Sequence, residues 1–402
     1  MTSTEQSGAN IRRNVALLAL CQALFMCVMT MAIATTPLAG HALLGVNKTL
    51  ATLPLVLTHL GIMLTTIPAS LLMAKIGRRA GFSIGALLSV ASGIISIAAI
   101  YQQSFIGLCL GAFFQGSSAA FAWYYRFAAA DAADDKFRAK AISLVMAGGI
   151  VAGFVGPQTA KWAVNWLDPV VFAGVYIMVI VFATLSFIVI QAIRIPPLAP
   201  EDRKSSGRPM SQIVRQPAYG VALISSMFGY GVMTLVMSAT PLAMMACGFK
   251  FNDSATVIQG HVVAMFLPAF FTGSLINRFG VLPIIASGAI IQIGCSLINL
   301  SGIGFMNFFL ANIFVGLGWN FTYTGGTTLL TTTYKPAERA KVQASHDFLV
   351  YTTTALAAGL SGVLQAKAGW DVVNMAALPM MATVVLAAFW LMYHQRQTVA
   401  AG

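Results

Sequence analysis

Thr36-Pro37-Leu38-Ala39 and Thr240-Pro241-Leu242-Ala243 are the same four residues written twice, 204 positions apart. Other landmarks repeat at nearly the same distance. Arg138-Ala139-Lys140 returns as Arg339-Ala340-Lys341 after 201 residues, Gly77 as Gly280 after 203, and His59 as His261 and Lys48 as Lys250 after 202. Each match alone is weak. A common shift of 201 to 204 predicts an internal duplication, each half about 200 residues long.

The material of each half is apolar. Of 402 residues 58% are hydrophobic and 8% charged, whereas a soluble domain carries about a quarter charged residues. The apolar residues fall in runs of about 20 or more, which as helices at about 1.5 Å per residue cross a hydrocarbon core of about 30 Å. Barrel strands would alternate apolar and polar residues, and these runs do not. The predicted spans are 14–36, 50–74, 82–101, 105–126, 141–163 and 170–193, then 218–246, 254–276, 282–302, 305–332, 343–366 and 372–393. Pro, Gly or charge marks the breaks, as at Gly77-Arg78-Arg79 and Leu167-Asp168-Pro169. The fold class expected is an all-α membrane protein of twelve transmembrane helices. Its domains are a six-helix bundle over 1–193, a linker over 194–217 rich in Pro and Ser, and a second bundle over 218–402. Six crossings return the chain to its starting side, so the halves are parallel pseudo-repeats about an axis along the membrane normal.

Alternate loops test that count. Nineteen of the 23 Lys and Arg fall on one side, and only Lys48, Lys161, Lys250 and Lys367 on the other. One missed or invented helix would scramble the later loops. Basic loops are retained in the cytoplasm, so both termini are expected there, and the compact loops fit a bacterial inner membrane. The net charge of +12 is mostly this sidedness and needs no nucleic-acid partner. Arg12 and Arg13 precede an apolar run too long for a signal core, so the first span reads as retained. Five cysteines show no disulfide framework or zinc spacing, and five histidines no metal-ligand spacing. No phosphate-binding glycine loop with Lys and Ser or Thr is present, and no nucleophile with a base. Neither a cofactor nor an enzyme activity is expected.

Over essentially its whole length the chain resembles the major facilitator superfamily. The resemblance rests on the loop after the second span, Ser70-Leu71-Leu72-Met73-Ala74-Lys75-Ile76-Gly77-Arg78-Arg79, and on its second copy, Gly273-Ser274-Leu275-Ile276-Asn277-Arg278-Phe279-Gly280. The family typically shows G-x-L-x-D-R-x-G-R-R there. Both copies lack its aspartate, with Ala74 and Asn277 instead. The resemblance assigns Lys75, Gly77, Arg78, Arg79, Arg278 and Gly280 to cytoplasmic gating. Asp347 either replaces the missing latch or favours its own helix N-terminus. Gly148, Gly149, Gly153, Gly156 and Pro157 are similar to the glycine-proline motif of proton-linked antiporters, which leans toward export. Against it, Ala112 stands where those antiporters place an arginine.

Ionisable groups inside the membrane are functional candidates by default. Counted along a regular helix, Arg126 falls on roughly the same face as Ala112, nearer the cytoplasmic end, and Trp123 lies beside it. It either binds an anionic group, pairs with Asp131, or snorkels from a helix end. His59 and His261 are the titratable pair at matched positions, serving either as proton carriers with Asp347 or as packing residues. The tenth span sets Gly316, Asn320, Tyr323, Thr324, Thr327 and Thr331 on one face. The seventh sets Tyr230, Thr234 and Ser238 together, and the first has Gln22, Met26 and Thr30 at the matching positions. These describe an amphipathic cavity for a mid-sized organic molecule, or else interhelical hydrogen bonding. The expected function is secondary-active transport by alternating access in a monomer, with proton-coupled efflux as the first direction. The alternatives are import of a small organic anion or vitamin and, from another class, a non-transporting receptor or assembly factor of this fold.

Overall fold

A computed structural model describes residues 3–132, 138–194, 207–335 and 338–400. The described residues form fourteen helices and no strand. They are α1 (Ser3–Leu43), α2 (Leu53–Ile76), α3 (Arg78–Tyr101), α4 (Phe105–Ala122), α5 (Tyr125–Ala132), α6 (Arg138–Ala163) and α7 (Ala173–Gln191). After the break come α8 (Met210–Ile213), α9 (Pro217–Ala246), α10 (Phe251–Phe266), α11 (Ala269–Phe279), α12 (Val281–Leu300), α13 (Phe305–Thr331) and α14 (Arg339–Ala400). By length and composition eight of these are apolar enough to cross a membrane alone, and a ninth crossing comes from α10 with α11. Gly369 has φ 83° and divides α14 into two arms, 339–368 and 370–400. Counted with α6 and α13, and with α5 continuing α4, the chain makes the twelve crossings expected.

Three expected features differ in detail. The first span is longer at both ends than 14–36, because Pro37 sits inside α1 without ending it. The fourth is interrupted after Ala122 by a turn at Trp123 and Tyr124, so a helical count from Ala112 does not carry through to Arg126. The eighth bends by 44° between Phe266 and Ala269, where Pro268 has no N–H to continue the ladder.

Two compact units divide the chain, Met1–Leu198 and Ala199–Gly402. In the first, α1 packs on α6 and α7, α2 on α4, and α3 on α4 and α7. Glycines set the spacing. A methyl at Gly116 of α4 would lie 1.9 Å from the Thr58 carbonyl oxygen of α2, and one at Gly61 of α2 would lie 2.4 Å from the Phe113 oxygen of α4. Only hydrogen fits there, so the two backbones touch. In the second unit α9 packs on α14 and α13, and α12 on α13 and α14, with Gly288 and Gly318 facing each other's backbone carbonyls at 2.7 to 2.8 Å by the same measure.

The stretch predicted as linker is tied down at both of its ends. Asn14 Nδ2 donates to the Arg194 carbonyl at 2.6 Å, and the Arg194 N–H donates back to Asn14 Oδ1 at 3.2 Å. On the second unit Arg208 donates through its backbone N–H and Nε to Glu338 Oε1 at 2.7 and 2.8 Å, and through a terminal nitrogen to Oε2 at 2.7 Å. Glu338 Oε2 also accepts the Lys335 N–H, and Lys341 Nζ donates to the Arg208 carbonyl. Gly207 has φ 55°, and a side chain there would strike Glu338. The short α8 then buries Ile213 before Pro217 opens α9.

The Glu338 side chain is sealed from solvent, while Arg208 is about one-third exposed. The Arg208 guanidinium, with the Lys335 and Arg208 N–H groups, holds the Glu338 carboxyl well below the usual glutamate range. A carboxyl depressed by folding stabilises the fold above its unfolded value, and that stabilisation fades as pH falls toward the folded value. Glu338→Gln is therefore expected to lower the thermal midpoint at pH 7. The gap from the parent should narrow below about pH 4.5, and a gap constant from pH 7 to 3 would show that the ion pair contributes nothing.

Candidate functional site

In the first unit the candidate side chains of α1 meet the junction of α4 and α5. Gln22 and Met26 are buried on α1, and between them Phe25 meets the Trp123 ring edge-on at 5.5 Å. Arg126 lies 4.8 Å from the Phe127 ring centroid. Three N–H groups in this region are buried without an acceptor: Gln22 Nε2, Trp123 Nε1 and Arg126 Nε. All three are donors. Thr30 is different: its hydroxyl donates to Cys27 O at 3.0 Å and Ala152 O at 3.4 Å, and a methyl at Gly156 would collide with it. Thr30 and Gly156 thus close the α1–α6 contact, and Pro157 lies within α6 beside it.

Deeper in this unit, sequence reading passed over a polar cluster. Ser89 of α3 donates to Gln115 Oε1 at 2.9 Å and Ser92 to the Gly111 carbonyl at 2.7 Å. Gln115, Thr36, Thr58, Ser92 and Tyr176 line a cavity of about 20 Å³, room for a water. The signal was in the sequence, because Ser89, Ser92 and Ser96 fall at helical spacing on α3.

In the second unit much of the polar stripe of α13 is engaged in hydrogen bonds. Asn320 is wholly spent: Nδ2 donates to Met265 O and Oδ1 accepts Thr272 Oγ1, each at 2.7 Å. These bonds tie α13 across the α10–α11 bend, where Met265 O and Thr272 flank Pro268. Thr327 donates to the Tyr323 and Thr324 carbonyls of its own helix. Thr234 is buried on α9 with an unpartnered hydroxyl. Tyr230 and Tyr323 belong to an aromatic group that also takes in Trp319, Tyr351 and Phe266. Trp319 and Tyr323 are parallel within 11° at 5.3 Å, and Tyr230 stands edge-on to both at 5.4 and 5.3 Å. Tyr351 lies 6.4 Å from Tyr230, and Phe266 6.3 Å from Trp319. Trp319 escaped the sequence reading because only polar residues were followed along the tenth span, yet it lies four residues before Tyr323 on the same face.

The two histidines sit in unlike surroundings. His59 is half-buried, with Nδ1 at 2.8 Å from Leu55 O of its own helix. His261 is fully buried, with Nδ1 at 2.9 Å from Asn312 O of α13, beside Gly316. Asp347 is part-exposed, with Oδ1 at 3.1 Å from His346 Nδ1.

In the loop motifs the two turn glycines share one conformation, φ 87° and ψ 159° at Gly77 against φ 90° and ψ 159° at Gly280. That region suits glycine alone. Arg78 lies 5.7 Å from the Tyr124 ring, joining the start of α3 to the α4–α5 turn, and Arg278 lies 5.2 Å from the Phe279 ring. Lys75 and Arg79 are exposed. The side chain of Asp131 lies outside the described residues.

Comparison with known proteins bears on the whole chain. The family profile described as Major Facilitator Superfamily matches residues 18–298. A riboflavin transporter of Brucella anthropi is 38% identical over 93% of this chain and 94% of its own length. The uncharacterized MFS-type transporter YddS of Bacillus subtilis is 26% identical over 79% of this chain and 76% of its own. Among solved structures, the human organic anion transporter TETRAN superposes with a TM-score of 0.67 at 12% identity, covering 94% of this chain and 99% of its own. The fucose:proton symporter of E. coli superposes at 0.62 and 15% identity, covering 94% and 98%. At such identities these two establish the fold.

The Asn320 geometry has a direct test. Asn320→Leu should cost about 1–3 kcal/mol in thermal or denaturant unfolding, since it strands the Met265 carbonyl and leaves the Thr272 hydroxyl only the Pro268 carbonyl. Combined with Thr272→Val the loss should fall short of the sum by at least about 0.5 kcal/mol. Strict additivity would mean that the two side chains do not interact.

Proposed function

This chain belongs to the major facilitator superfamily and is a transporter of small solutes; on that premise we propose that it imports riboflavin or a closely related flavin across a bacterial inner membrane. The observation that carries the proposal is the likeness to a riboflavin transporter at 38% identity over nearly the full length of both chains. A ring-bearing solute also suits the group of aromatic rings in the second unit, where the Trp319 N–H is buried without an acceptor. Import here replaces the efflux that the glycine-rich α6 suggested. Gly156 of that motif packs on Thr30 and Cys27, and the preference for import comes from the likeness to the riboflavin transporter.

We assign the coupling ion to protons and the exchange to His59, with no part for His261. The His261 ring is enclosed between α10 and α13, whereas His59 is half-buried on α2. Both termini are placed in the cytoplasm, on the strength of the 19 to 4 division of Lys and Arg.

Labelled riboflavin uptake in a riboflavin-requiring bacterium without its own uptake system tests the reading. Expression of this chain should produce saturable uptake, competed by unlabelled riboflavin and abolished by a protonophore. Parent protein in liposomes should respond to an imposed pH gradient, His261→Ala should keep that response, and His59→Ala should lose it. Absence of uptake by well-expressed protein would sink the riboflavin reading. Uptake indifferent to the gradient would sink the proton assignment alone.

A further inference from the structure

The aromatic group of the second unit is built unlike a packing cluster. A membrane-embedded core needs bulk and no polar atoms, which Leu, Ile and Phe supply at no hydrogen-bonding cost. Here a Trp and three Tyr are gathered from three helices: Tyr230 of α9, Trp319 and Tyr323 of α13, and Tyr351 of α14. The three tyrosines are half-buried, so part of each ring is still accessible. Trp319 is only 8% exposed, and its indole N–H is buried with no acceptor. Such an N–H inside a bilayer is costly unless something arrives to accept it.

The geometry is also directional. Trp319 and Tyr323, one turn apart on α13, hold their ring planes within 11° of each other. Tyr230 meets both at 75°, the T-shaped class of contact that aromatic quadrupoles favour. Rings stacked on consecutive turns, with a third ring set across them, make an aromatic group with a single N–H donor.

Resting on the riboflavin reading above, we propose that Tyr230, Trp319, Tyr323 and Tyr351 form the platform on which the flat three-ring portion of the flavin lies, with Trp319 Nε1 donating to a ring carbonyl or ring nitrogen. The flavin ring is planar, electron-poor and rich in acceptors, complementary to electron-rich phenol and indole faces with one unpaired donor. Tyr230 and Tyr323 supply stacking area, Tyr351 closes the side, and Trp319 sets orientation. The sugar-alcohol chain of riboflavin has no part in this contact. Lumiflavin, which keeps the ring and lacks that chain, should therefore occupy the platform as riboflavin does.

Flavin emission reads this arrangement directly, because a tyrosine or tryptophan stacked on an excited flavin transfers an electron to it and quenches its fluorescence. Full-length protein in lipid nanodiscs is titrated with riboflavin and with lumiflavin, recording emission together with bound ligand by equilibrium dialysis. The parent should bind both and quench both. Tyr230→Leu and Tyr323→Leu should each weaken binding about tenfold and restore emission of the bound fraction. Trp319→Phe, which keeps a ring but no donor, should weaken binding several-fold. Tyr323→Phe, which keeps a stacking ring but not the electron-donating phenol, should bind more tightly than Tyr323→Leu while recovering part of the bound-state emission, which separates loss of the stack from loss of the fold. Binding by the parent with undiminished emission, or leucine variants that bind and quench like the parent, overturns the platform and leaves the riboflavin reading standing. A parent that neither binds nor transports riboflavin overturns both.

Discussion

Inside a bilayer no water is at hand to satisfy a polar group or to be expelled when two apolar surfaces meet, and this constraint decides which contacts can hold the chain together. The backbone settles its own needs within helices. Adhesion between helices then depends on how closely they approach, which is why glycines stand where α2 crosses α4 and α12 crosses α13. Polar side chains obey the same rule from the other direction. Ser92 serves the Gly111 carbonyl, Gln292 the Gly229 carbonyl, and Asn299 bonds to Asn374.

The duplication governs form more than chemistry. Gly77 and Gly280 adopt nearly the same backbone angles although they stand in different halves of the chain. The side chains at related places have diverged: His59 bonds along its own helix, while His261 reaches across to another. The first unit leaves Gln22, Trp123 and Arg126 with unmatched N–H groups, and the second leaves Trp319 with one beside Tyr230.

Most of the fold was legible in the sequence because hydropathy reads helices and loop charge checks their number. Details that depend on one residue overriding its neighbours were not. Periodicity sees no reason for α4 to pause at Trp123 or for the eighth span to bend by 44° at Pro268, although the proline was in view. At the candidate site the stripe on the tenth span was found, but spacing does not distinguish a side chain spent on its neighbours from one that is open. Asn320 and Thr327 fall in the first class. Trp319 was overlooked because it scores as apolar, and its N–H matters only once its surroundings are known. Glu338 lay in a loop read for its positive charges, and its partner Arg208 is 130 residues earlier.

The hydrogen bonds of Arg194 and Arg208 alter what the stretch between the two units amounts to. Read from composition it is one polar leash running from 194 to 217. Arg194 is tied to Asn14 and Arg208 to Glu338, so the path from an anchored point of one bundle to an anchored point of the other runs between those two arginines, roughly half of the stretch. A chain spans at most about 3.3–3.6 Å per residue however it runs, which limits that connection to about 50 Å where the whole stretch would reach about 80 Å. A connection cut back in this way acts as a check line: it caps how far the anchored points can ever draw apart, and holding that cap falls to a few hydrogen bonds rather than to the covalent length of the chain.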